Sequence, residues 1–296
     1  MAKPVRFRVV PQEEGMMLGH LLARRLPKTS VEAGHELVRA GAVYMGHLRV
    51  RVPTVRVAAG ERISVYPEAI ADEELPLELV RIVHRDDAFV VLDKPAGVPV
   101  AATRESARGT LSEALRRVLE HEGMVRPYVG IVHRLDRGAS GLVLFTIRSV
   151  ANKNVHKQFA EHSISRRYRL RVHGVAPDTM DCALPLLELH SGSSKVAEGN
   201  PHARAAHTIF TRRDGAFDQP GTTLLEARLE TGRHHQIRVH AATLGHAVVG
   251  DRRYGPGDDA ERLQLHAFEL VLAHPRDGHE VRVRAELPSW ARAADD

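Results

Sequence analysis

Apolar residues recur at helical spacing near the start of the chain. The repeat consists of Leu18, Leu21, Leu22 and Leu26. It predicts a helix over MLGHLLARRL that ends at Pro27, and VEAGHELVRAG predicts a second helix with Gly41 after its last turn. From there to Tyr66, apolar and polar residues alternate, which predicts short strands with turns at Gly46 and Gly60. Two helices followed by strands predict a small first domain over residues 1–68.

The pattern changes after residues 69–78, an acidic stretch without periodicity that we interpret as a linker. Longer strands with intervening helices follow over residues 79–296, the predicted second domain. FVVLDKPAGVPV predicts a strand, SEALRRVLEH a helix, and the apolar run after HRLDRGAS a buried strand. A further helix is predicted from Ser149, as its N-cap, to near His162.

The stretch RRYRLRVHG alternates strictly. A strand here places Tyr168, Leu170 and Val172 on one face, and Arg167, Arg169 and Arg171 on the other. TLLEARLETGRHHQIRVHAATLGH predicts a strand, a turn and a helix that Gly245 ends. Strands and helices do not alternate as regular βαβ units, so the predicted fold class is α+β with a mixed or antiparallel sheet.

Composition narrows the class of protein. The chain has 296 residues, of which 43% are apolar and only 4% aromatic, enough for a core built mainly from Leu, Val and Ala. The single cysteine, Cys182, excludes an internal disulfide and a multi-cysteine zinc site. No apolar run has membrane-spanning length and the first residues lack the apolar segment of a secretory signal, so we expect a cytoplasmic protein without a membrane partner.

The net charge of +5 is weak evidence for a polyanionic partner. The distribution of charge says more. Basic residues dominate residues 148–171, whereas acids gather at Asp72, Glu73 and Glu74 and at Asp258 and Asp259. Such segregation fits either a face that binds a phosphate backbone or a solvated helix and strand surface.

Asp136 is the first candidate for chemistry. It lies between Arg134 and Arg137, on a glycine-flanked loop that enters the predicted buried strand. A nearby arginine favours the ionised carboxylate, which suits attack on an electrophilic carbon better than donation of a proton. The alternative is a loop aspartate that caps backbone amides beside solvated arginines.

Two other chemistries find less support in the sequence. The 19 histidines raise the possibility of a metal site, but His235 and His240 are five residues apart without the intervening glutamate of a zincin. His133 and Asp136 of HRLD could also ligate a metal. A glycosidase needs a second carboxylate. The nearest candidate, Asp251 in GDRRYG, is typical of a turn or capping residue.

Several segments in the same order resemble the RluA/RluD-type pseudouridine synthases, which isomerise uridine in ribosomal or transfer RNA. They are HRLD with a following SG, RRYRLRVHG and TGRHHQIRVHAATLGHAVVGDRRYG. VVLDKPAGVPV and LQLHAFELVLAHP also resemble segments of that family. The resemblance covers roughly residues 80 to 290 and implies a pseudouridine synthase catalytic domain whose mixed, largely antiparallel sheet is flanked by helices.

The resemblance implies a role for each matching residue. Asp136 corresponds to the aspartate that attacks the target nucleoside, and Arg238 to the basic residue paired with it. Tyr168 corresponds to the tyrosine that packs on the uracil. The residues expected to contact the substrate are Arg134, which helps displace the uridine from its stack, Ile237, which lines the pocket, and Arg137, Arg233 and Arg167. No metal and no cofactor are expected, because the aspartate carries the covalent chemistry.

The first domain resembles the small RNA-binding domain named after ribosomal small-subunit protein S-four. Arg24, Arg25, Lys28 and Arg39 could serve RNA, although Met17, Leu18 and Gly19 stand where that domain usually has Arg-Leu-Asp. The expected partner is structured RNA, ribosomal RNA in preference to tRNA, bound by a monomer. Two alternatives stay open, a catalytically inactive RNA-binding protein on the same fold and a metal-dependent hydrolase.

Overall fold

The computed structural model of the protein describes residues 4–66, 74–102, 109–189, 192–214, 219–257, 260, 262–294 and 296. The chain forms two compact units. The first contains Met1–Leu77 and Ala101–Val118, and the second contains Glu78–Val100 and Leu119–Asp296. Residues 69–73 of the predicted linker, and the acidic residues Asp72, Glu73, Asp258 and Asp259, lie outside the described residues.

The first unit packs two helices on a small sheet. Its elements are β1 (Val5–Arg8), α1 (Leu18–Arg25), α2 (Val31–Arg39), β2 (Val43–Met45), β3 (Leu48–Val50) and β4 (Arg62–Val65). The strands form an antiparallel sheet in the order β1, β4, β2, β3, and the predicted apolar stripe of α1 is buried in its core. The hydroxyl of Ser30 caps α2 at 3.1 Å from the amide of Ala33, and Gly41 follows α2 at φ 75°. Both helices are where the sequence predicts them, whereas β1 was not predicted.

The second unit contains most of the strands. Its elements, with one helix that begins in the first unit, are β5 (Arg81–Arg85), β6 (Phe89–Lys94), α3 (Leu111–His121), β7 (Gly130–Ile131), β8 (Ser140–Thr146), α4 (Ser149–Ala160), β9 (Ser165–His173), β10 (Thr179–Cys182), β11 (Leu186–Glu188), β12 (Ser194–Val196), β13 (Thr208–Arg213), β14 (Thr222–Leu229), α5 (Gln236–Thr243), β15 (Leu265–Ala273) and β16 (Glu280–Arg284). Helix α4 begins at Ser149 itself, so Arg148 occupies the N-cap position predicted for Ser149.

Ten of these strands form one sheet. The main path runs β10, β13, β14, β9, β15, β8, β6, β5, with β16 paired to β15 and β7 to β8. Among the described strands, β8 and β15 are the parallel pair, and the other pairings are antiparallel. The α+β prediction with a mixed, largely antiparallel sheet is confirmed. Within the described residues, each helix is too short or too polar to cross a lipid bilayer.

Strand β9 has the two faces that the sequence predicts, but two of the three arginines on its basic face are buried. Arg169 and Arg171 are 2% and 3% exposed. Arg169 bonds Asp296 at 2.6 Å, and Arg171 donates to the carbonyl of Trp290 at 3.0 Å. Neither a phosphate-binding face nor a solvated surface, the two interpretations of the basic residues 148–171, describes Arg169 and Arg171, because later parts of the chain cover them.

Helix α5 packs on the opposite face of β9. Ile237 and Ala241 of α5 join Tyr168 and Leu170 of β9 and Ala227 of β14 in one buried apolar cluster. A second cluster, which includes Phe89, Leu144, Val155, Leu270 and Val283, fills the space around β6, β8, α4, β15 and β16. The first cluster thus brings α5 to the tyrosine-bearing face of the sheet.

Candidate active site

Asp136 lies on the loop between β7 and β8. The amide of Ala139 donates to the carbonyl of Asp136 at 3.1 Å, which closes a tight turn immediately before β8. The predicted buried strand is present, since six of the seven residues of β8 are buried. The turn therefore places the Asp136 carboxylate at the edge of the packed sheet, as HRLDRGASGLVLFT predicts.

Gly141 allows β8 to begin beside β15, because it has a positive φ and no Cβ atom. Its φ is +104°, and a Cβ there would lie 2.1 Å from the carbonyl oxygen of Ala267. A side chain at this position would push β8 off β15, so glycine permits the short parallel pairing of Ser140 with His266 and Gly141 with Ala267. This pairing fixes the start of β8 and hence the end of the Asp136 loop.

A buried lysine holds the other side of the loop. Lys94, at the end of β6, is fully buried and donates from Nζ to the carbonyls of Pro95, Val98 and Arg137 at 3.0, 2.8 and 3.1 Å. Burial lowers the pKa of Lys94 to about 7, against the opposing charge of Asp136. The three carbonyls match the three N–H groups of an ammonium ion, so Lys94 ties β6 to the residue next to Asp136.

Arg137 itself completes this connection. Its Nε donates to the carbonyl of Gly97 at 2.8 Å, and the amide of Gly97 donates back to the carbonyl of Arg137 at 2.8 Å. Arg137 therefore contributes to the shape of the loop, while its side chain is largely exposed.

The arginine bound to the Asp136 carboxylate comes from α5. Nη1 of Arg238 donates to Oδ2 of Asp136 at 2.9 Å. Nε and Nη2 of the same guanidinium donate to the two carboxylate oxygens of Asp251, each at 2.7 Å. Burial lowers the pKa of Arg238, but the bonds to Asp251 and the charge of Asp136 outweigh it and raise the pKa. Arg238 is therefore a permanent cation between two carboxylates.

Asp251 is 2% exposed and serves two functions in the fold. One oxygen accepts the amides of Arg253 and Tyr254 at 3.0 and 3.1 Å, which is the capping role that GDRRYG suggests. The same carboxylate holds Arg238, which the sequence did not indicate. Burial raises the pKa of Asp251, but Arg238 and the two amides lower it further, so the net shift is downward and the group is ionised.

His235 precedes α5 in a left-handed backbone conformation with φ 57°. Its side chain is 10% exposed, and its Nε2 lies 3.8 Å from Oδ1 of Asp136. On the other side of the ring, Nδ1 is 2.8 Å from the hydroxyl of Tyr254, which also accepts the amide of Ser194 at 2.8 Å. Burial lowers the pKa of His235 to about 4, despite the charge of Asp136, so the ring is neutral.

The apolar wall of the site is formed by Tyr168 and Ile237. Both belong to the buried cluster around β9 and α5, and Leu135, the neighbour of Asp136, packs against that cluster. Burial raises the pKa of the Tyr168 phenol, and the charge of Asp136 adds to the effect. The structure thus brings Asp136, Arg238, Tyr168 and Ile237 together from three separate segments of the chain, the loop before β8, strand β9 and helix α5.

The remaining predicted residues lie around or away from this place. Arg134 is exposed beside Asp136, and Arg233 donates from Nε to the carbonyl of Ala205 at 2.9 Å in the turn before α5. Arg167 is on the face of β9 opposite Tyr168, within 3.4 Å of Glu226 and 3.5 Å of Glu269. The structure does not bring Arg167 together with Asp136.

The histidine arrangement differs from the one considered for a metal. Nε2 of His133 accepts the amide of Leu144 at 2.9 Å and its ring stacks on Phe159, so His133 supports β8 instead of facing Asp136. Asp136, His234 and His235 do place ligand atoms within 4.8 Å of one another. The Arg238 cation on the same carboxylate opposes a second positive charge there.

The side chain of Gln236 holds the turn before α5, the helix that carries Arg238. The sequence predicted no role for this residue. Oε1 of Gln236 accepts from Thr231 at 2.8 Å and from the amide of Arg233 at 2.9 Å, and its Nε2 donates to the carbonyl of His207 at 2.9 Å. Gln236 therefore ties the turn to β13. The sequence likewise predicted no role for Lys94, and for Asp251 it predicted a turn or capping residue.

Chemically, the site offers the carboxylate of Asp136, whose side chain is 18% exposed, beside the guanidinium of Arg238. Oδ2 of Asp136 is held by Arg238, so Oδ1 is the oxygen with lone pairs available for a substrate. A planar base fits beside a tyrosine and an isoleucine better than a flexible ligand does. The arrangement can place a carboxylate nucleophile against a nucleoside whose base lies on an aromatic ring.

Comparison with known proteins identifies the family of the chain. Residues 88–243 match the family model described as RNA pseudouridylate synthase. The chain belongs to this family and is an isomerase acting on RNA.

Two relatives align over almost the whole chain. Ribosomal large subunit pseudouridine synthase D of Zymomonas mobilis is 32% identical over 93% of this chain and 91% of its own length. An uncharacterised RNA pseudouridine synthase of Aquifex aeolicus is 29% identical over 97% of this chain and 95% of its own. The solved structure of human RNA pseudouridylate synthase domain containing 1 is similar in fold, with a TM-score of 0.60 and 24% identity over 73% of this chain and 87% of that one.

Proposed function

We propose that this enzyme converts specific uridines of structured RNA, ribosomal RNA in preference to tRNA, into pseudouridine with Asp136 as the nucleophile. The observation that carries the proposal is the position of Asp136. One carboxylate oxygen is bound by Arg238 at 2.9 Å, and Leu135, the neighbour of Asp136, packs against the apolar cluster that contains Tyr168 and Ile237. The names of relatives such as the large-subunit synthase of Zymomonas mobilis favour ribosomal RNA.

The proposed reaction begins when the target uridine leaves its stack. This costs a few kcal/mol, which contacts to the exposed cations Arg134 and Arg137 and stacking of the base on Tyr168 offset. Arg134 takes the space that the base vacates. Arg233, beside α5, is in a position to contact phosphate at the rim.

Asp136 then attacks the nucleoside and the bond between N1 and C1′ breaks. The uracil turns, and C5 bonds to C1′ as the bond between Asp136 and C1′ breaks and returns the carboxylate. The proton on C5 is then lost to water, and N1 takes up a proton in exchange. Tyr168 and Ile237 exclude water during this turn, and Arg238 orients the carboxylate through its hydrogen bond to Oδ2. We propose that the reaction requires no metal and no organic cofactor, since the carboxylate carries the covalent step.

We also propose that the first unit binds RNA. Arg25 is bonded to Glu13 at 2.7 Å and Arg39 to Glu36 at 2.9 Å, so their charges are compensated within the unit. Arg24 and Lys28 are more exposed. In the full chain, the double substitution Arg24→Ala and Lys28→Ala is expected to raise KM and leave kcat unchanged. An unchanged KM would contradict an RNA-binding role of these residues.

Further parts of the proposal concern the protein as a whole. We propose that it acts as a monomer in the cytoplasm, where ribosomal RNA is found. Light scattering that gives twice the 32.7 kDa chain mass would contradict the monomer. Activity that disappears with a chelator and returns with a divalent ion would contradict the absence of a metal requirement.

The decisive experiment is tritium release from RNA labelled at C5 of uridine. The substrate is pooled ribosomal and transfer RNA from a strain that lacks the gene, because RNA modified beforehand cannot report. The native protein is expected to release tritium and Asp136→Asn to release none. A matched control is Asp87→Asn, which removes an exposed carboxylate bonded to Arg276 and should release tritium as the native protein does. Release by Asp136→Asn would exclude Asp136 as nucleophile, and no release from either RNA pool would favour an RNA-binding protein without this activity.

A further inference from the structure

His235 lies beside the reacting carboxylate, yet the proposed reaction leaves it without a task. Its Nε2 is 3.8 Å from Oδ1 of Asp136, the oxygen that Arg238 does not hold. That distance is beyond hydrogen-bond range, so the nitrogen is not committed to the carboxylate. The backbone of His235 is nevertheless in a left-handed conformation, which is uncommon at a non-glycine residue.

The bonds of Tyr254 favour one of the two positions for the ring proton of His235. The Tyr254 hydroxyl oxygen accepts the amide of Ser194, so its own hydrogen is available for Nδ1 of His235, which lies 2.8 Å away. Nδ1 is then the acceptor of that bond. Because the ring is neutral, its one proton is on Nε2, the nitrogen that faces Asp136. His235 therefore presents an N–H donor to the reacting side of the site.

The first chemical step creates an acceptor for that donor. As Oδ1 of Asp136 forms its bond to C1′, the bond between C1′ and N1 breaks and its electron pair stays on the uracil. The released base is an anion whose charge is shared by N1, O2 and O4. Three of the five N–H groups of Arg238 already bond Asp251 or Asp136, so its positive charge is shared by two carboxylates before the base is released.

We propose that His235 is a further catalytic residue, which donates a hydrogen bond from Nε2 to the uracil anion as the glycosidic bond breaks. The proposal rests on the proposed function, since it concerns the leaving group of that reaction. A fixed neutral donor in an enclosed site stabilises a developing anion without reorganisation. Tyr254 is the positioning residue that keeps the proton on Nε2.

The test compares two leaving groups. Bacterial large-subunit ribosomal RNA and pooled tRNAs are transcribed in vitro with either uridine or 5-fluorouridine, and the rearranged nucleoside is measured by liquid chromatography after single turnover and digestion. Fluorine withdraws electrons and stabilises the released base by itself, so it reduces the need for a donor. His235→Ala is expected to slow rearrangement of uridine by about 100-fold and that of 5-fluorouridine by about tenfold or less.

Other variants separate this role from a structural one. His235→Gln retains an N–H donor and is expected to recover part of the loss, while Tyr254→Phe should show a smaller loss with the same dependence on fluorine. His279→Gln is the matched control, because His279 is an exposed histidine bonded to Asp277 at 2.6 Å, and it should behave as the native protein on both RNAs.

The outcomes are distinct. Equal losses on uridine and 5-fluorouridine RNA for His235→Ala would overturn the proposal and show that His235 only supports the fold of the site. A native rate in His235→Ala would overturn it as well. Rearrangement of neither RNA by the native protein would instead overturn the proposed function, and this inference with it.

Discussion

Arg238 makes two parallel hydrogen bonds of 2.7 Å to Asp251, more than it makes to Asp136. Its orientation is therefore set by a carboxylate outside the reaction. Asp251 is in turn oriented by the amides of Arg253 and Tyr254. The position of the Asp136 carboxylate thus depends on the GDRRYG turn, which is 115 residues further along the chain by the numbering of Asp136 and Asp251.

Asp251→Asn tests this dependence. Loss of one partner leaves the Arg238 charge incompletely paired in a buried site, which costs about 3–5 kcal/mol of unfolding free energy. We also expect kcat to fall by about tenfold or more, because an amide cannot accept both guanidinium bonds. Urea unfolding and tritium release check the two effects. Asp87→Asn, in an exposed pair with Arg276, should change stability by no more than about 1 kcal/mol; an equal effect of both variants would contradict the prediction.

Lys94→Met removes the ammonium that connects β6 to the Asp136 loop. The carbonyls of Pro95, Val98 and Arg137 lose a donor, although that of Arg137 keeps the Gly97 amide, and a carbonyl left without a partner costs about 1–3 kcal/mol unless the loop shifts. Lower thermal stability and a lower kcat are both expected, since the loop carries Asp136. Lys157→Met, which changes a lysine whose side chain is 71% exposed, is the control and should leave both unchanged. Calorimetry and tritium release measure the pair, and a fully active Lys94→Met would show that the loop keeps its shape without the lysine.

Gly141→Ala is expected to destabilise the second unit strongly. A methyl group there would lie 2.1 Å from the backbone oxygen of Ala267, which cannot move without separating β8 from β15. Gly257→Ala is the matched substitution, because Gly257 has a similar positive φ of 79° but no atom within 4 Å of the added carbon. It should lower the unfolding free energy by only about 1–2 kcal/mol, the cost of an alanine in a left-handed conformation. Gly141→Ala should exceed it by about 1–3 kcal/mol in chemical unfolding, and equal values would mean that β8 and β15 can separate at no cost.

Acid should destabilise the fold well before the carboxylates titrate. Burial lowers the pKa of His133 to about 3 and those of His235 and His266 to about 4. In the unfolded chain each has the ordinary pKa of about 6.5, so between pH 6.5 and 4 the unfolded state binds more protons and stability falls as the pH falls. Urea midpoints at pH 7 and pH 5 at constant ionic strength measure this. An equal or higher midpoint at pH 5 would contradict the neutral state of these histidines.

Local patterns predicted the helices and strands that surround the site. Apolar stripes, the Ser30 cap and the glycines after helices depend on neighbours in sequence, and these elements are present. The residues expected around Asp136 were predicted from the resemblance of several segments, in the same order, to a known family. Side chains whose environment comes from distant segments were harder to predict, since alternation along β9 indicates which face Arg169 is on but not that Asp296 covers it.

Two features of the chain mark residues of the site, Lys94 and Asp251, for which the sequence predicted no role in the site. A lysine at the end of the apolar run FVVLDKP is unusual in a buried strand, and it marks Lys94. An aspartate directly after Gly250, where a Cβ would lie 2.1 Å from the carbonyl of Arg262, marks a turn of close backbone approach. Neither signal indicates that Asp251 binds Arg238, because that contact depends on how α5 packs against the turn.

The bond between Asp136 and Arg238 joins residues 102 positions apart. A ribosome synthesises Asp136 before Arg238, and α5 must dock on β9 before the two side chains can form their hydrogen bond. During synthesis the chain thus carries Asp136 without Arg238 and Asp251, and the pocket has no Ile237 wall. The contacts that surround Asp136 in the folded protein therefore form only after the chain has been synthesised beyond Asp251.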